Sequence, residues 1–216
     1  MENEKKVTEM ANLARSYRAC EKCKKLCESR SEIVWGSGNL NASVVLVDAH
    51  PDAAGEKEQL PIGGIQKEVL HRMLRSESVG LGPEDIYYTT TVLCRPGSRQ
   101  PTRREQNNCF SRLSREIEII DPLIVVVMGP AAAKALTSVK TKFATMAQHA
   151  DAPFLEAVTQ GVRGEVKRNA ILTFSLRDIA NKNDGQIPLA KGGHAFWVYR
   201  SLVRTKKLLD CYRNIF

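Results

Sequence analysis

Four cysteines carry the first chemistry that this 216-residue chain offers. Cys20 and Cys23 form a CxxC pair near the start, while Cys94 and Cys109 lie far downstream in the stretch YYTTTVLCRPGSRQPTRREQNNC, Tyr87 to Cys109. Thiolates are strong metal ligands, and one local pair with one distant pair can close around a single centre. That closure would tie residues 1–35 to the middle of the chain. Structural zinc sites usually join two short knuckles, but fourteen residues separate Cys94 from Cys109. Iron–sulfur clusters accept such wide loops. Spacing therefore leaves a cluster, zinc and unligated thiols open, in that order. Lys22, Lys24 and Lys25 crowd the first pair and favour its thiolate form. Cys27, one helical turn beyond Cys23, reads as a spare thiol.

A second constellation lies in the polar loop DAHPDAAGEKEQLPIGG, residues 48–64, which follows the apolar run Ala42 to Val47. Long polar loops at the carboxyl ends of parallel strands are where open α/β sheets hold ligands. His50 suits acid–base work because it titrates near neutral pH, and Asp48 and Asp52 flank it. The plainer expectation is a solvated turn whose aspartates cap a helix, since proton transfer demands close geometry.

The formal charge of +8 asks for an anionic partner. Its basic residues cluster: Arg95, Arg99, Arg103 and Arg104 fall together, as do Arg163, Lys167, Arg168 and Arg177. A solvated basic face is the bland reading. Two clusters beside candidate site loops favour nucleic acid.

The elements that must position these groups follow from periodicity. Helices are expected over Glu4 to Arg18, Ile65 to Val79, Arg103 to Ile120, a short stretch from Ala131, and His194 to about Arg213. Strands are expected at Ala42 to Val47, Ile86 to Leu93, Leu123 to Gly129 and Ala170 to Phe174. Val139 to Gly161 reads as an insertion. Four strands alternating with helices predict a three-layer α/β/α sandwich around a four-stranded parallel sheet, in one domain spanning 1–216. Trp35 and Trp197 read as packing residues.

A hydrophobic fraction of 43% is ordinary, and no apolar run nears the ~20 residues of a bilayer span. The start, MENEKKVTEM, lacks a secretory h-region. The expectation is a cytoplasmic protein without a membrane partner, whose cysteines stay reduced.

From about Tyr17 to Ala180 the chain resembles the iron–sulfur, family 4 type branch of the uracil-DNA glycosylase superfamily. The residues that carry the likeness are Cys94-Arg95-Pro96-Gly97, then Arg99, Pro101, Glu105 and Cys109. Pro51, Pro61 and Gly64 keep the register of the family's loop after the first strand, and Gly129, Ala132 and Arg163-Gly164 match later elements. The resemblance implies a [4Fe-4S] cluster on Cys20, Cys23, Cys94 and Cys109, and DNA, double- or single-stranded, as partner.

The likeness also implies a base pocket at Ala49, Pro51, Ile62, Thr90 and Ser175, where this chain departs from the family pattern. Ala49 takes the place of a Glu that helps water attack the sugar, and Ile62 that of a Phe that stacks on uracil. Thr90 replaces the Asn that reads the base edge, and Ser175 the His of the last motif. Glycosidic cleavage needs a carboxylate to steady the sugar cation and a donor for the departing base. Losing one such donor costs ~10²–10³ in rate. Two expectations follow. The first is a DNA-binding protein with base excision lost or much reduced, acting as an accessory factor in replication, repair or transcription. The alternative is an active glycosylase in which His50, Asp48 or Ser175 supplies the chemistry. In either, Arg95, Arg99, Arg103, Arg104 and Arg177 would hold phosphate, and Leu176 would wedge into the minor groove or pack in the core.

Overall fold

Runs of β-branched residues set the centre of the molecule, which is described by a computed structural model covering residues 2–137, 155–161, 164–180 and 193–215. Strand β2 (Val44–Asp48) and strand β4 (Ile124–Met128) are buried along their whole length. They pair in parallel, Val44 beside Ile124. Strand β3 (Ile86–Thr90) lies parallel on the other side of β2, and β6 (Gly164–Thr173) lies parallel to β4. These are the four parallel strands that the alternation predicts. Two antiparallel edges extend them: β1 (Ser37–Gly38) against β3, and β5 (Leu155–Gly161) against β6. The sheet order is β1-β3-β2-β4-β6-β5. Strand β5 falls inside the stretch read as an insertion, and the rest of that stretch, with Arg163, lies outside the described residues.

Alternation along the strands divides the core into two layers. Val44, Leu46, Tyr88, Val126 and Ile171 face helix α4 (Gly64–Leu74), helix α7 (Leu176–Ala180) and helix α8 (His194–Ile215). Val45, Val47, Tyr87, Val127 and Leu172 face helix α5 (Arg103–Ile120) and helix α6 (Gly129–Leu136). This is the three-layer α/β/α arrangement. The amino-terminal helix α1 (Glu2–Tyr17) packs outside α5, where Lys6 donates to the Ile120 carbonyl at 2.9 Å and so caps the helix end. No helix among the described residues is long and apolar enough to cross a membrane.

Local signals explain the boundaries nearest the site. Thr102 and Glu105 form a capping box at the start of α5. Asp52 caps helix α3 (Ala53–Glu58), which occupies the loop expected to be polar and irregular. Strand β3 stops at Thr90, shorter than predicted, because Thr91 and Val92 leave the ladder. Their N–H groups donate instead to Asp48 and Ala49 at the end of β2. The chain thus bends across the strand ends toward Cys94.

Helix α5 buries a charged pair as well as an apolar stripe. Arg112 and Glu116 are both 0% exposed and meet at 2.7 Å. Arg112 also donates to the Thr90 carbonyl, and Glu116 accepts from Tyr87 and Thr89, all on or at the end of β3. Removing one partner strands the other charge away from water. Glu116→Ala is expected to lower the unfolding free energy by roughly 3–5 kcal/mol, whereas Arg112→Met with Glu116→Leu costs less. Denaturant titration of both variants measures the difference.

Candidate functional site

Asp48, the last residue of β2, is the polar focus of the strand ends. It is 2% exposed and accepts hydrogen bonds from the Ala49 N–H at 2.6 Å, Ser175 Oγ at 2.9 Å and Tyr88 Oη at 3.4 Å. Ser175 follows β6, so the bond joins two strand ends across the sheet. Gly129 makes that approach possible: it has φ +83°, and a Cβ there would lie 3.1 Å from the Ser175 Cβ. Asp48, Ala49, Ser175 and Arg177 line one cavity of about 390 Å³, closed on its other side by Gln106 and by the cations Arg103 and Lys134.

Not every expected pocket residue reaches this cavity. Ala49 and Ser175 do; Pro51, Ile62 and Thr90 do not. Thr90 turns its hydroxyl to the Val92 carbonyl at 2.8 Å. Ile62 packs in the core on the α4 side of the sheet. The five positions are therefore divided rather than gathered. The Arg177 guanidinium bridges the gap between two of the strand ends, donating to the His50 carbonyl and meeting the His50 ring at Nε2.

His50 is buried, not part of a solvated turn. Its Nδ1–H donates to the Pro51 carbonyl at 2.7 Å, which leaves the Nε2 lone pair facing Arg177. Burial, then the Arg177 charge, pushes its pKa down to about 3. The imidazole is neutral at physiological pH with both nitrogens engaged, so it links two loops rather than moving a proton. Asp52 caps α3, as the plainer expectation held.

Leu176 is 1% exposed and lies in the core against α4 and α8. It is thus a packing residue and not an exposed wedge. The four arginines of the basic loop also divide. Arg95 bonds Glu56 at 2.7 Å, and Glu56 accepts the Ser31 N–H as well. Arg99 grips Glu105 with two bonds of 2.7 Å, holding that carboxyl down to about 2. Arg103 and Arg104 remain exposed, with Arg103 at the cavity. Gln106 and Lys134, which no sequence pattern marked, complete its wall.

The cysteines come together. Cys23, Cys94 and Cys109 pack with Leu26, Val92 and Ile33 under helix α2 (Lys24–Ser29). Burial raises the Cys23 thiol, and the nearby Cys109 and Cys20 raise it further. Arg30 spans the group, donating to Cys94 Sγ at 3.0 Å and to the Cys20 carbonyl at 2.9 Å. Asn108 donates to Cys23 Sγ at 3.3 Å. Burial pushes the Cys94 thiol up to about 11 despite Arg30. No cysteine is in a disulfide, and Cys27 turns to the Cys20 carbonyl. Among the described residues, no three His, Cys, Asp or Glu side chains converge on a single-ion site.

The buried neutral His50 makes stability pH-dependent. Its folded pKa lies below the ordinary value, so the unfolded chain binds the extra proton between about pH 6.5 and 3. Its contribution is complete above that window and is lost as pH falls through it, with a slope of at most about 1.4 kcal/mol per pH unit. Unfolding midpoints measured across the window are expected to fall less steeply in His50→Gln than in the unaltered chain.

The comparisons with known proteins agree with this architecture. Residues 35–190 match the family model described as the uracil DNA glycosylase superfamily. The type-4 uracil-DNA glycosylase of Saccharolobus solfataricus is 35% identical over 118 residues, covering 54% of each chain. That of Archaeoglobus fulgidus is 34% identical over 57% of this chain and 61% of its own. A type-5 uracil-DNA glycosylase of Pyrobaculum aerophilum is 30% identical over 62% of this chain and 68% of its own. The match thus spans between half and two thirds of these type-4 relatives' length. The parallel strands whose ends carry Asp48, Thr90 and Ser175 all fall within the matched residues, and this chain belongs to the uracil DNA glycosylase superfamily.

Proposed function

We propose that this chain is a cytoplasmic DNA-binding protein in which ordinary uracil excision is lost or much reduced. It acts as an accessory factor in replication, repair or transcription. The observation that carries the reading is the cavity wall. Ala49 contributes no functional group there, and the neighbouring His50 is turned into Pro51 and Arg177. A sugar cation would find no carboxylate at Ala49, the cavity's own carboxylates being Asp48, which is engaged by the Ala49 N–H and Ser175, and Asp178; a departing base would find no imidazolium. Each missing group costs ~10²–10³ in rate. Arg103, Arg104 and Lys134 supply positive charge at and beside the same opening, suited to phosphate.

The thiols suit a [4Fe-4S] cluster on Cys20, Cys23, Cys94 and Cys109. The donor set is sulfur alone, and Arg30 and Asn108 direct N–H groups at two of the sulfurs. Cys23, Cys94 and Cys109 already share one packed group, and wide loops between ligands are what iron–sulfur clusters accept. When bound, the cluster supplies a rigid cross-link between residues 1–35 and the loop from Cys94 to Cys109. Arg95 and Arg99 then brace that loop through Glu56 and Glu105, while Arg103 and Arg104 face DNA. The whole chain, 1–216, works as one domain in this reading.

A second reading, an active glycosylase of altered base preference, draws on one observation. Asp48 and Ser175 share a 2.9 Å hydrogen bond and line the same cavity. The two readings part in a single assay. Duplexes carrying uracil, hypoxanthine, xanthine or hydroxymethyluracil are incubated with the protein and probed for alkali-labile sites. No abasic product above background is expected. Product that vanishes in Asp48→Asn establishes the second reading instead.

DNA affinity should fall with salt. Arg103→Ala combined with Lys134→Ala is expected to reduce the slope of log affinity against log salt by roughly 1–2. Protein purified without oxygen should be brown, absorb broadly near ~400 nm and contain iron and sulfide. Cys94→Ser should lose that colour; colourless protein containing zinc would overturn the cluster.

A further inference from the structure

A second cavity, of about 230 Å³, lies away from the strand ends, between α4 and the β1/β3 edge of the sheet. Its floor is apolar: Ile62, Leu70, Leu74, Leu81, Ile86 and Tyr88. Small-molecule sites run to about 300–1,000 Å³, so this space suits one large side chain better than a cofactor or nucleotide. Its two flanks differ. On one, Lys67, His71 and Arg75 follow at four-residue intervals along α4 and its end. Glu58 pairs with Lys67, and among the described residues Arg75 has no acidic partner. The opposite flank is β1, where Ser37 and Gly38 are exposed. As the last strand in the sheet order, β1 has no strand on its outer side among the described residues. An apolar socket between a helix flank whose unpaired cation is Arg75 and a free sheet edge is the arrangement that accepts an extended peptide. Main-chain bonds come from such an edge and selectivity from the socket.

We propose that this socket docks an extended segment of a partner protein, seating one large apolar side chain between α4 and β3 with an adjoining carboxylate on Arg75. Charge complementarity selects an acidic segment over a basic one. The site is separate from the Asp48 cavity, so a partner could bind here while the strand ends face DNA.

The test uses the full chain labelled with nitrogen-15 and an acetylated peptide, Gly-Ser-Glu-Trp-Glu-Ser-Gly, beside a version with Lys for each Glu. Saturable amide shifts are expected at Ser37, Gly38 and Lys67 to Arg75 for the acidic peptide, and weaker ones for the basic version. Arg75 is exposed, so Arg75→Glu leaves the fold intact. That variant is expected to weaken the acidic peptide by roughly twofold to fivefold and to favour the basic one. The proposal is overturned by no saturable shifts by ~5 mM peptide, by shifts centred on Arg103 and Lys134, or by binding indifferent to charge. Concentration-dependent broadening at the socket without peptide also overturns it, because a second copy would then be the occupant.

Discussion

The buried contact between Arg112 and Glu116 holds the rest of the structure in register. Both residues sit on α5, and their hydrogen bonds end on Tyr87, Thr89 and the Thr90 carbonyl of β3. Two charges removed from water tolerate little freedom, because any slip leaves one of them unpaired. Helix and strand are therefore locked at a fixed height. Everything that matters for the site hangs from that lock. Strand β3 leads into Cys94, while α5 carries Arg103, Gln106, Asn108 and Cys109 on its first turns. A shift of one helical turn would separate the two cysteines and open the cavity wall at Gln106.

Smaller polar links carry the register outward. Glu56, buried on α3, gathers the Ser31 and Glu32 N–H groups and the Arg95 side chain. One carboxylate thus joins the amino-terminal segment, the loop after β2 and the cysteine loop. Asp48 does the same at the strand ends, taking bonds from Tyr88 on β3 and from Ser175, two residues beyond β6. Buried carboxylates work here as splices between segments distant in sequence. Each is satisfied by N–H or O–H donors, which is what makes its burial tolerable.

The pocket and the framework have different chemical character. Framework positions are filled by groups with many simultaneous partners, and replacing any of them would leave others unsatisfied. The positions expected to form the pocket hold Ala49, Thr90 and Ser175, whose side chains are small and neutral: Thr90 bonds the Val92 carbonyl close by, and Ser175 bonds Asp48 across the sheet. Small neutral side chains cost little to bury, so these positions place few demands on the fold. The His50–Arg177 link goes further. It engages the His50 imidazole and joins the loop after β2 to the segment after β6.

Periodicity and composition were enough to establish the layered α/β architecture, the four parallel strands and the span of α5. These follow from local rules: β-branched runs, a Thr102–Glu105 capping box, and helical spacing of apolar residues. Of the four cysteines that the sequence singled out, Cys23, Cys94 and Cys109 pack together, while Cys20 lies outside that packed group. The edge strands β1 and β5 were not legible, being short or outside any clear alternation. Nor was the burial of His50, Arg112 and Glu116, since a polar residue reads as exposed until its partner is known. The same holds for the division of the arginines. Arg95 and Arg99 differ from Arg103 and Arg104 only in having Glu56 and Glu105 within reach. Local pattern determines which elements form. Which charges are neutralised, and which face outward, depends on contacts between residues far apart in the chain, and only the tertiary structure decides those.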